Sequence, residues 1–233
     1  YTLELGEDYV GLRYDACFTG VPVNQIKDFK DRVENTITDL PGNLIIKEYS
    51  PGKASISTLE AHIKKCIEQD FKPDLVIIDY VDLLRSKRTA SERKEEIDDI
   101  YLSTKGLARE LKIPIWSVSQ VNRSGAKDDI IEGDKAAGSY DKIMITDISI
   151  SLSRKKEDKV AGTGRFHIMK NRYGGDGMTF GAKVDTATGH FEIFDDYEEN
   201  EESYTPSKPV NEFSDVNVQE RETLKKAFFE LQS

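Results

Sequence analysis

The sequence predicts an α/β protein with a mostly parallel central sheet, helices on both faces and an antiparallel hairpin at the C-terminal end. In the first half of the chain, short apolar runs alternate with amphipathic stretches, which is the pattern of repeated strand–helix–strand units. In the second half, short glycine-containing turns join the apolar runs, and such turns favour antiparallel neighbours. The length of 233 residues suits one large domain followed by a tail.

Composition narrows the classes of function. The chain carries 33 Lys and Arg against 43 Asp and Glu, so its formal net charge is −10. This balance argues against a generally basic binder of the histone kind, because phosphate binding needs clustered cations. It is compatible with a nucleic-acid enzyme that has a basic channel in an acidic body. No run approaches the roughly 20 apolar residues that a membrane-spanning helix needs.

The first half of the chain is predicted to hold the buried sheet. Its apolar spacing predicts, in order, a strand, two helices and a second strand at Tyr1–Leu5, Glu7–Thr19, Val21–Leu40 and Asn43–Tyr49. Capping boxes at Ser57–Glu60 and Thr89–Glu92 predict the starts of two further helices. The continuous apolar runs Leu75–Asp79 and Ile113–Ser119 predict strands that are buried on both faces.

The second half begins with Gln120–Asp141, which is polar, has no clear period and is predicted to be a loop. Four strands are predicted to follow, at Asp147–Ser153, Arg165–Asn171, Met178–Asp185 and His190–Phe194. We expect residues 1–194 to form one domain. Residues 195–213 are predicted to form an acidic disordered linker, since the run DDYEENEE is almost wholly acidic. Residues 214–233 are predicted to form a terminal amphipathic helix.

Polar residues follow the predicted parallel strands where each strand ends. Asp79 ends an apolar strand, which is how many ATPases place a carboxylate near Mg²⁺. Gln120 follows the next strand and is placed to contact a γ-phosphate, and Glu4 is placed to orient or deprotonate a water molecule. Taken singly, each has an ordinary alternative: a strand-ending Asp, a polar loop residue and a carboxylate at a helix N-terminus.

Lys170 and Arg172 alternate along a predicted strand, so both cations share one face. Two cations that point together from a sheet edge suit the charge on a transferring phosphoryl group, in the same subunit or in a neighbouring one. The alternative is a solvated edge strand whose cations prevent aggregation.

In order and spacing, five segments resemble the C-terminal motor domain of DnaB-like hexameric replicative helicases, a RecA-type ATPase. They are TLEL, VIIDYVDLL, GLARELKIP, SVSQVNRSG and KNRYGG. The resemblance runs from Tyr1 to about Phe194, and Thr104–Arg123 is its most specific part. It implies a RecA-like P-loop NTPase core, with ATP and Mg²⁺ as cofactors. It also implies a homo-oligomeric ring of the hexamer type that translocates on single-stranded DNA and unwinds duplex DNA, in the cytoplasm of a bacterial or phage-infected cell.

The resemblance assigns roles to particular positions. Glu4 stands where the family has its catalytic glutamate, and Asp79 matches the Walker B aspartate that holds Mg²⁺ through water. Gln120 matches the glutamine that senses the γ-phosphate. Lys170 and Arg172 match the lysine and the arginine finger that reach the next subunit's nucleotide.

Basic loops are the predicted DNA contacts, since a basic groove suits a single-stranded backbone. The loop that the resemblance turns toward the central channel carries four cations, Arg123, Lys127, Lys135 and Lys142. A second basic cluster, which begins with Arg85, Lys87 and Arg88, is also a candidate for DNA contact. The alternative interpretation is that these cations are simply solvated at the entrance to a helix. The channel loop reads Ile131–Gly138 as IEGDKAAG instead of the family's arginine-glutamate-glycine pattern, which leaves its DNA-contacting residues open.

A phosphate-binding loop of the form GxxxxGK[ST] is missing from the sequence. Pro51–Ser55 has a similar ending, but it lacks the first glycine and precedes the wrong helix. In the family this loop lies just before the strand that Tyr1–Leu5 resembles. We therefore expect the chain to begin downstream of it, and to be inactive alone although the parent protein is an ATP-hydrolysing helicase.

Two alternative functions stay open at this stage. One is a recombination or regulatory ATPase of the RecA or RadA type, and the other is a non-catalytic RecA-like scaffold. The C-terminal segment resembles tails that bind replisome proteins in related phage helicases. Its apolar positions Val218, Leu224, Phe228 and Leu231 would then fit a partner's groove. The alternative is that this helix folds back on its own domain or on a ring neighbour.

Overall fold

The computed structural model describes residues 1–86, 93–120, 130 and 140–194. In chain order these contain α1 (Glu7–Thr19), a 3-10 helix (Val23–Phe29), α2 (Lys30–Thr38), α3 (Ile56–Glu68), β1 (Val76–Ile78), a 3-10 turn (Val81–Leu83), α4 (Arg93–Leu111), β2 (Ile115–Ser117), α5 (Tyr140–Ile145), β3 (Ile148–Ser153), α6 (Lys156–Ala161), β4 (Thr163–Asn171), β5 (Thr179–Asp185) and β6 (His190–Phe194). No helix within these ranges has the length and apolar character needed to cross a membrane.

Several predicted segments lie outside the described residues. They are most of the predicted loop 120–141, the capping box at 89–92, the linker 195–213 and the terminal helix 214–233.

The parallel sheet is built around β1. Strands β1 and β2 pair in parallel, with Val76 opposite Ile115. On the other side of β1, Thr2 forms parallel bridges to Asp79 and to Glu48. Four segments therefore run side by side in one direction, in the order Glu48, Thr2, β1 and β2. The carboxyl ends of all four face the same edge.

The two outer segments are shorter than the sequence predicts. Tyr1–Leu5 and Asn43–Tyr49 are expected as strands, but they join the sheet only through isolated bridges, at Thr2 and at Glu48. The Thr2 hydroxyl donates to the Leu5 carbonyl at 2.7 Å, and it accepts from the Leu5 N–H at 3.2 Å. Such a side-chain turn competes with ladder pairing, so the chain bends away from the sheet directly after Leu3.

Helices α3 and α4 pack on one face of this sheet and form the main core. Its most buried members are Leu3, Leu59, Ile78, Leu84 and Ile100. In α4, Ile100, Tyr101 and Leu107 are buried, which confirms the predicted apolar register. The cap of α3 lies two residues earlier than predicted, because the hydroxyl of Thr58 and that of Ser55 form the box in place of Ser57 and Glu60.

The opposite face of β1 and β2 is exposed in this chain. Ile77 and Trp116 are register partners, and they are 44% and 62% exposed. The prediction that both strands are buried on both faces is therefore wrong for the residues described. The reason is geometric: alternate residues of a strand point to opposite faces, and α3 and α4 cover the face that holds Val76 and Ile78.

The predicted helix Val21–Leu40 is divided in two. A 3-10 helix occupies Val23–Phe29, and α2 occupies Lys30–Thr38. The break lies at Phe29, whose backbone has φ −121° and ψ 34° and so leaves the helical region. The division lets Ile26 pack with Ala16 and Val21 in a small separate cluster.

The antiparallel part is a meander of four strands in the order β3–β4–β5–β6, which is larger than a single hairpin. All four strands lie close to their predicted positions. Two short helices, α5 before β3 and α6 between β3 and β4, are additions to the elements that the sequence predicts. Each has six residues, which is too few to show a helical period in the sequence.

Asp158 organises the connection from α6 to β4. Its carboxylate accepts from the two terminal guanidinium nitrogens of Arg165, at 2.7 and 3.2 Å, and from the Lys155 backbone N–H at 2.7 Å. Burial acts to raise the pKa of Asp158. The Arg165 guanidinium, the Lys155 N–H and the Thr163 hydroxyl outweigh burial and hold that pKa below its usual value.

We expect Asp158→Asn to lower the free energy of unfolding by about 2 kcal/mol at pH 7, because Arg165 loses a buried charged partner. The stability that the ionised carboxylate contributes is complete above its unfolded pKa of about 3.9, and it is lost as the pH falls through the lower folded value. Denaturant unfolding at pH 7 and pH 3 should therefore show a difference from wild type that shrinks in acid. Glu157→Gln, at an exposed site on the same helix, is the control; equal losses in the two variants would contradict this account.

Candidate functional site

Three of the predicted site residues follow segments of the parallel sheet that end at its carboxyl edge. Glu4 follows the Thr2 bridge, Asp79 directly follows β1, and Gln120 follows β2. Glu4 and Gln120 are exposed and Asp79 is half-buried. Their side chains form no hydrogen bond or ion pair with the described part of the chain. The edge thus presents a set of polar groups that are available to a ligand, as the carboxyl ends of parallel strands commonly do.

Tyr80 reports on the electrostatics of this edge. Burial, and then the negative charges of Glu4, Asp82 and Asp79, raise the pKa of its phenol. The carboxylates of Glu4 and Asp79 therefore lie near enough to the same ring to act on it together. Such a concentration of negative charge favours a cation at this edge.

Ser117 holds the ends of β1 and β2 together. Its hydroxyl donates to the Ile78 carbonyl at 2.7 Å and accepts from the Val81 N–H at 3.1 Å. These bonds fix the chain on both sides of Asp79 relative to the end of β2. Sequence reasoning missed Ser117, although the alternation Ser117-Val-Ser119 after an apolar run is a usable signal for two hydroxyls on one side of the strand.

Lys142 is buried, which corrects its assignment to the basic loop that faces DNA. Its side chain is 4% exposed, and its Nζ donates to Asp82 Oδ2 at 2.6 Å and to the Ser119 hydroxyl at 3.2 Å. The same Nζ lies 5.5 Å from the centre of the Tyr101 ring. A cation enclosed in this way is not accessible to a phosphate backbone.

Lys170 and Arg172 belong to a second cluster, at the C-terminal end of α5. Lys170 Nζ donates to the carbonyls of Ile143 and Met144, at 2.8 and 2.6 Å. Arg172 donates to the Met144 carbonyl at 3.4 Å and to Asp147 Oδ1 at 3.3 Å. Lys170 and Arg172 therefore both reach the C-terminal end of α5. There they donate to carbonyls that have no hydrogen-bond partner within the helix.

Lys105 completes this second cluster from α4. It donates to Asp147 Oδ1 and to the Ile145 carbonyl, both at 2.7 Å. The hydrogen bond from Lys105 lowers the pKa of Asp147. Burial, and then the charges of Arg172 and Lys105, lower the pKa of Lys170. Within the described residues, no hydrogen bond joins this cluster to Glu4, Asp79 or Gln120.

The predicted DNA contacts fall mostly beyond the described residues. These are Lys87, Arg88, Arg123, Lys127 and Lys135. Arg85 is exposed and, with Arg93, lines an open surface cavity of about 430 Å³. Arg93 donates to the Asp82 carbonyl at 2.7 Å, so the start of α4 contacts the turn that follows Asp79.

Pro51–Ser55 is a helix entrance in the structure. Gly52 has φ +70°, which glycine adopts without steric cost, and it turns the chain toward α3. The Ser55 hydroxyl and the Thr58 hydroxyl lie 3.2 Å apart in the cap of that helix.

Replacing Ser117 with Ala should lower the free energy of unfolding by about 1–3 kcal/mol, because the Val81 N–H, next to a buried valine side chain, is left without its partner. Thermal and denaturant melts measure the change. Ser103→Ala on α4 is the matched control, where alanine favours the helix and no destabilisation is expected. Unchanged stability in Ser117→Ala would show that another group, such as water, replaces the hydroxyl.

A family model described as "DnaB-like helicase C terminal domain" matches residues 19–179. The chain is 26% identical over 188 residues to the replicative DNA helicase DnaB of Leifsonia xyli subsp. xyli, an alignment that covers 75% of this chain and 40% of that protein. It is 28% identical over 130 residues to the replicative DNA helicase DnaB of Helicobacter pylori, which covers 53% of this chain and 26% of that protein. The chain thus spans less than half the length of these relatives.

Two solved structures are similar in fold. One, described as an ATPase domain, superposes with a TM-score of 0.69 at 21% identity, over 82% of this chain and 72% of that one. A DnaB-like replicative helicase, solved with its interactions with primase, superposes with a TM-score of 0.70 at 20% identity, over 82% of this chain and 50% of that one. These likenesses confirm the predicted RecA-like α/β fold.

Proposed function

Because the chain belongs to the DnaB-like helicase C-terminal domain family, we propose that it is the motor of an ATP-driven replicative DNA helicase. The motor translocates on single-stranded DNA and unwinds the duplex. The observation that supports this proposal is that Glu4, Asp79 and Gln120, which have no partners in the described chain, each follow a segment that ends at the carboxyl edge of the parallel sheet.

Each of these three residues suits one task in ATP hydrolysis. Asp79 fits the Mg²⁺ that accompanies ATP, since Mg²⁺ usually takes one or two carboxylates and otherwise binds phosphate oxygens and water. The bound ion would neutralise charge on the phosphates. Glu4 orients the attacking water and accepts its proton. Gln120, at the end of the neighbouring strand, contacts the γ-phosphate and responds to its loss.

Lys170 and Arg172 complete the site of a neighbouring subunit. Their hydrogen-bond partners in this chain lie at the end of α5 and at Asp147, in a cluster that shares no described bond with Asp79. Arg172 is 45% exposed and its two contacts are long, at 3.3 and 3.4 Å, so reorienting it costs little. An arginine that enters the next subunit's nucleotide stabilises transition-state charge. This arrangement supports a ring of copies, of the hexamer type.

Single-stranded DNA is the proposed substrate of the ring's channel. The basic residues proposed to contact its backbone are Arg85, Lys87, Arg88, Arg123, Lys127 and Lys135. Backbone contacts of this kind carry no sequence preference, as a translocating motor requires. Other replisome proteins are proposed partners of the segment 214–233, and the location is proposed to be the cytoplasm of a bacterial or phage-infected cell.

The nucleotide proposal is tested with the full natural polypeptide that contains this chain. We expect its ATP hydrolysis to rise with single-stranded DNA, and Arg172→Ala to lower the stimulated kcat by about 1,000-fold with little change in KM, since a finger acts in the transition state. Lys183→Ala, at an exposed cation on the same antiparallel sheet, is the control and should keep full activity.

Two outcomes would contradict this proposal in different ways. If Arg172→Ala hydrolyses ATP as the wild type does, the finger lies elsewhere and its assignment fails. If the wild-type polypeptide hydrolyses no ATP under any condition, the motor itself fails and a scaffold function takes its place.

The DNA proposal predicts a change in salt dependence. Replacing the cations Arg85, Lys87 and Arg88 together with alanine should weaken binding to an oligothymidylate and reduce the slope of log K against log salt by about 0.7 for each phosphate contact removed. Fluorescence anisotropy at several salt concentrations measures both. The control replaces the exposed cations Lys27, Lys30 and Lys156. Equal slopes for the two variants would exclude this cluster from the DNA interface.

A further inference from the structure

A hydrogen-bond network around the buried Lys142 side chain joins three segments that lie far apart in the sequence. Lys142 comes from α5, Ser119 from the end of β2, and Asp82 from the turn after Asp79. Besides the two bonds from Lys142, the Ser119 hydroxyl lies 3.3 Å from Asp82 Oδ2 and donates to it. The three groups thus form a closed triangle of hydrogen bonds.

Tyr101 covers this triangle from α4. Its ring lies against the Lys142 ammonium. Burial, and then the charge of Asp82, raise the pKa of its phenol. The Lys142 and Asp82 side chains are 4% and 15% exposed. A buried ammonium is tolerated where its charge is paired and its donors are satisfied, so the network has one favoured arrangement.

The network lies between the proposed nucleotide residues and α5. Asp82 follows the proposed Mg²⁺ residue Asp79 by three positions, and Ser119 directly precedes the proposed γ-phosphate sensor Gln120. Lys142 lies in the first turn of α5, which comes after the segment that begins at Gln120. The Lys142 ammonium therefore links Ser119 and the start of α5 to the turn that follows Asp79.

We propose that Lys142 is a positioning residue that couples the nucleotide edge to DNA binding, through Asp82 and Ser119. A shift of Gln120 on loss of the γ-phosphate moves Ser119, and Lys142 transmits that movement to the start of α5. The inference rests on the proposed motor function. By linkage, the same coupling makes affinity for DNA depend on which nucleotide is bound.

The test measures the affinity of the full natural polypeptide for a labelled oligothymidylate, with ADP and with a non-hydrolysable ATP analogue. Couplings of this kind typically change affinity by about 5- to 150-fold. We expect Lys142→Met, which keeps the apolar stem but removes the charge, to bring the ratio of the two Kd values to within about threefold of one. Asp82→Asn should act in the same direction. Lys142→Arg, which keeps the charge and its donors, should retain most of the wild-type ratio.

Lys159→Met, at an exposed lysine of α6, is the matched control and should leave the ratio unchanged. Thermal melts separate a structural effect from loss of coupling. A wild-type ratio in Lys142→Met would overturn the inference, as would equal weakening in both nucleotide states together with a lower Tm. If the wild type itself shows the same affinity in both states and no DNA-stimulated hydrolysis, the motor function fails, and the inference fails with it.

Discussion

The candidate site depends on the side-by-side alignment of parallel strand ends. Glu4, Asp79 and Gln120 lie far apart in the sequence, and each would be an ordinary polar residue alone. Parallel pairing brings their strands to a common edge, and the Ser117 hydroxyl fixes β1 against β2 within one residue of Asp79. The Thr2 side chain then bends the chain away after Leu3, which leaves Glu4 exposed at that edge. The hydroxyls of Thr2 and Ser117 therefore fix the backbone at this edge. The side chains of Glu4, Asp79 and Gln120 have no partners among the described residues.

Charge is distributed in the same selective way. A net charge of −10 belongs to the whole chain, but Lys105, Lys170 and Arg172 gather around the end of α5, where the helix leaves carbonyls without partners. Those carbonyls hold the cations in place and lower the cost of bringing like charges together. The geometry explains how an acidic protein keeps a compact basic group, and why its cations point to one side.

Local features can be predicted from this sequence, and long-range ones cannot. Helix α1 and strand β6 have the predicted bounds, because the glycines that flank the helix and the Thr-Gly turn before the strand are visible within a few residues. The α3 cap differs from its prediction by two residues because the hydroxyl of Thr58 takes the place of the expected carboxylate. The exposure of Trp116 depends on which face the helices cover, and the burial of Lys142 depends on a partner 60 residues away. The grouping of Glu4, Asp79 and Gln120 in one site is predicted by resemblance, because the spacing predicts parallel strands but not which strands are neighbours.

The buried pair of Lys142 and Asp82 is better understood as a device for specificity than for stability. An ion pair in an interior often contributes no more than apolar residues of the same volume would, although removing one partner costs about 3–5 kcal/mol. Two apolar side chains could shift relative to each other at little cost. The hydrogen bonds among the Lys142 ammonium, the Asp82 carboxylate and the Ser119 hydroxyl are directional and favour one geometry. That rigidity is useful where a small displacement at one end must appear at the other. The pair lies between the proposed nucleotide edge and α5, which is where a transmitting contact would have to be.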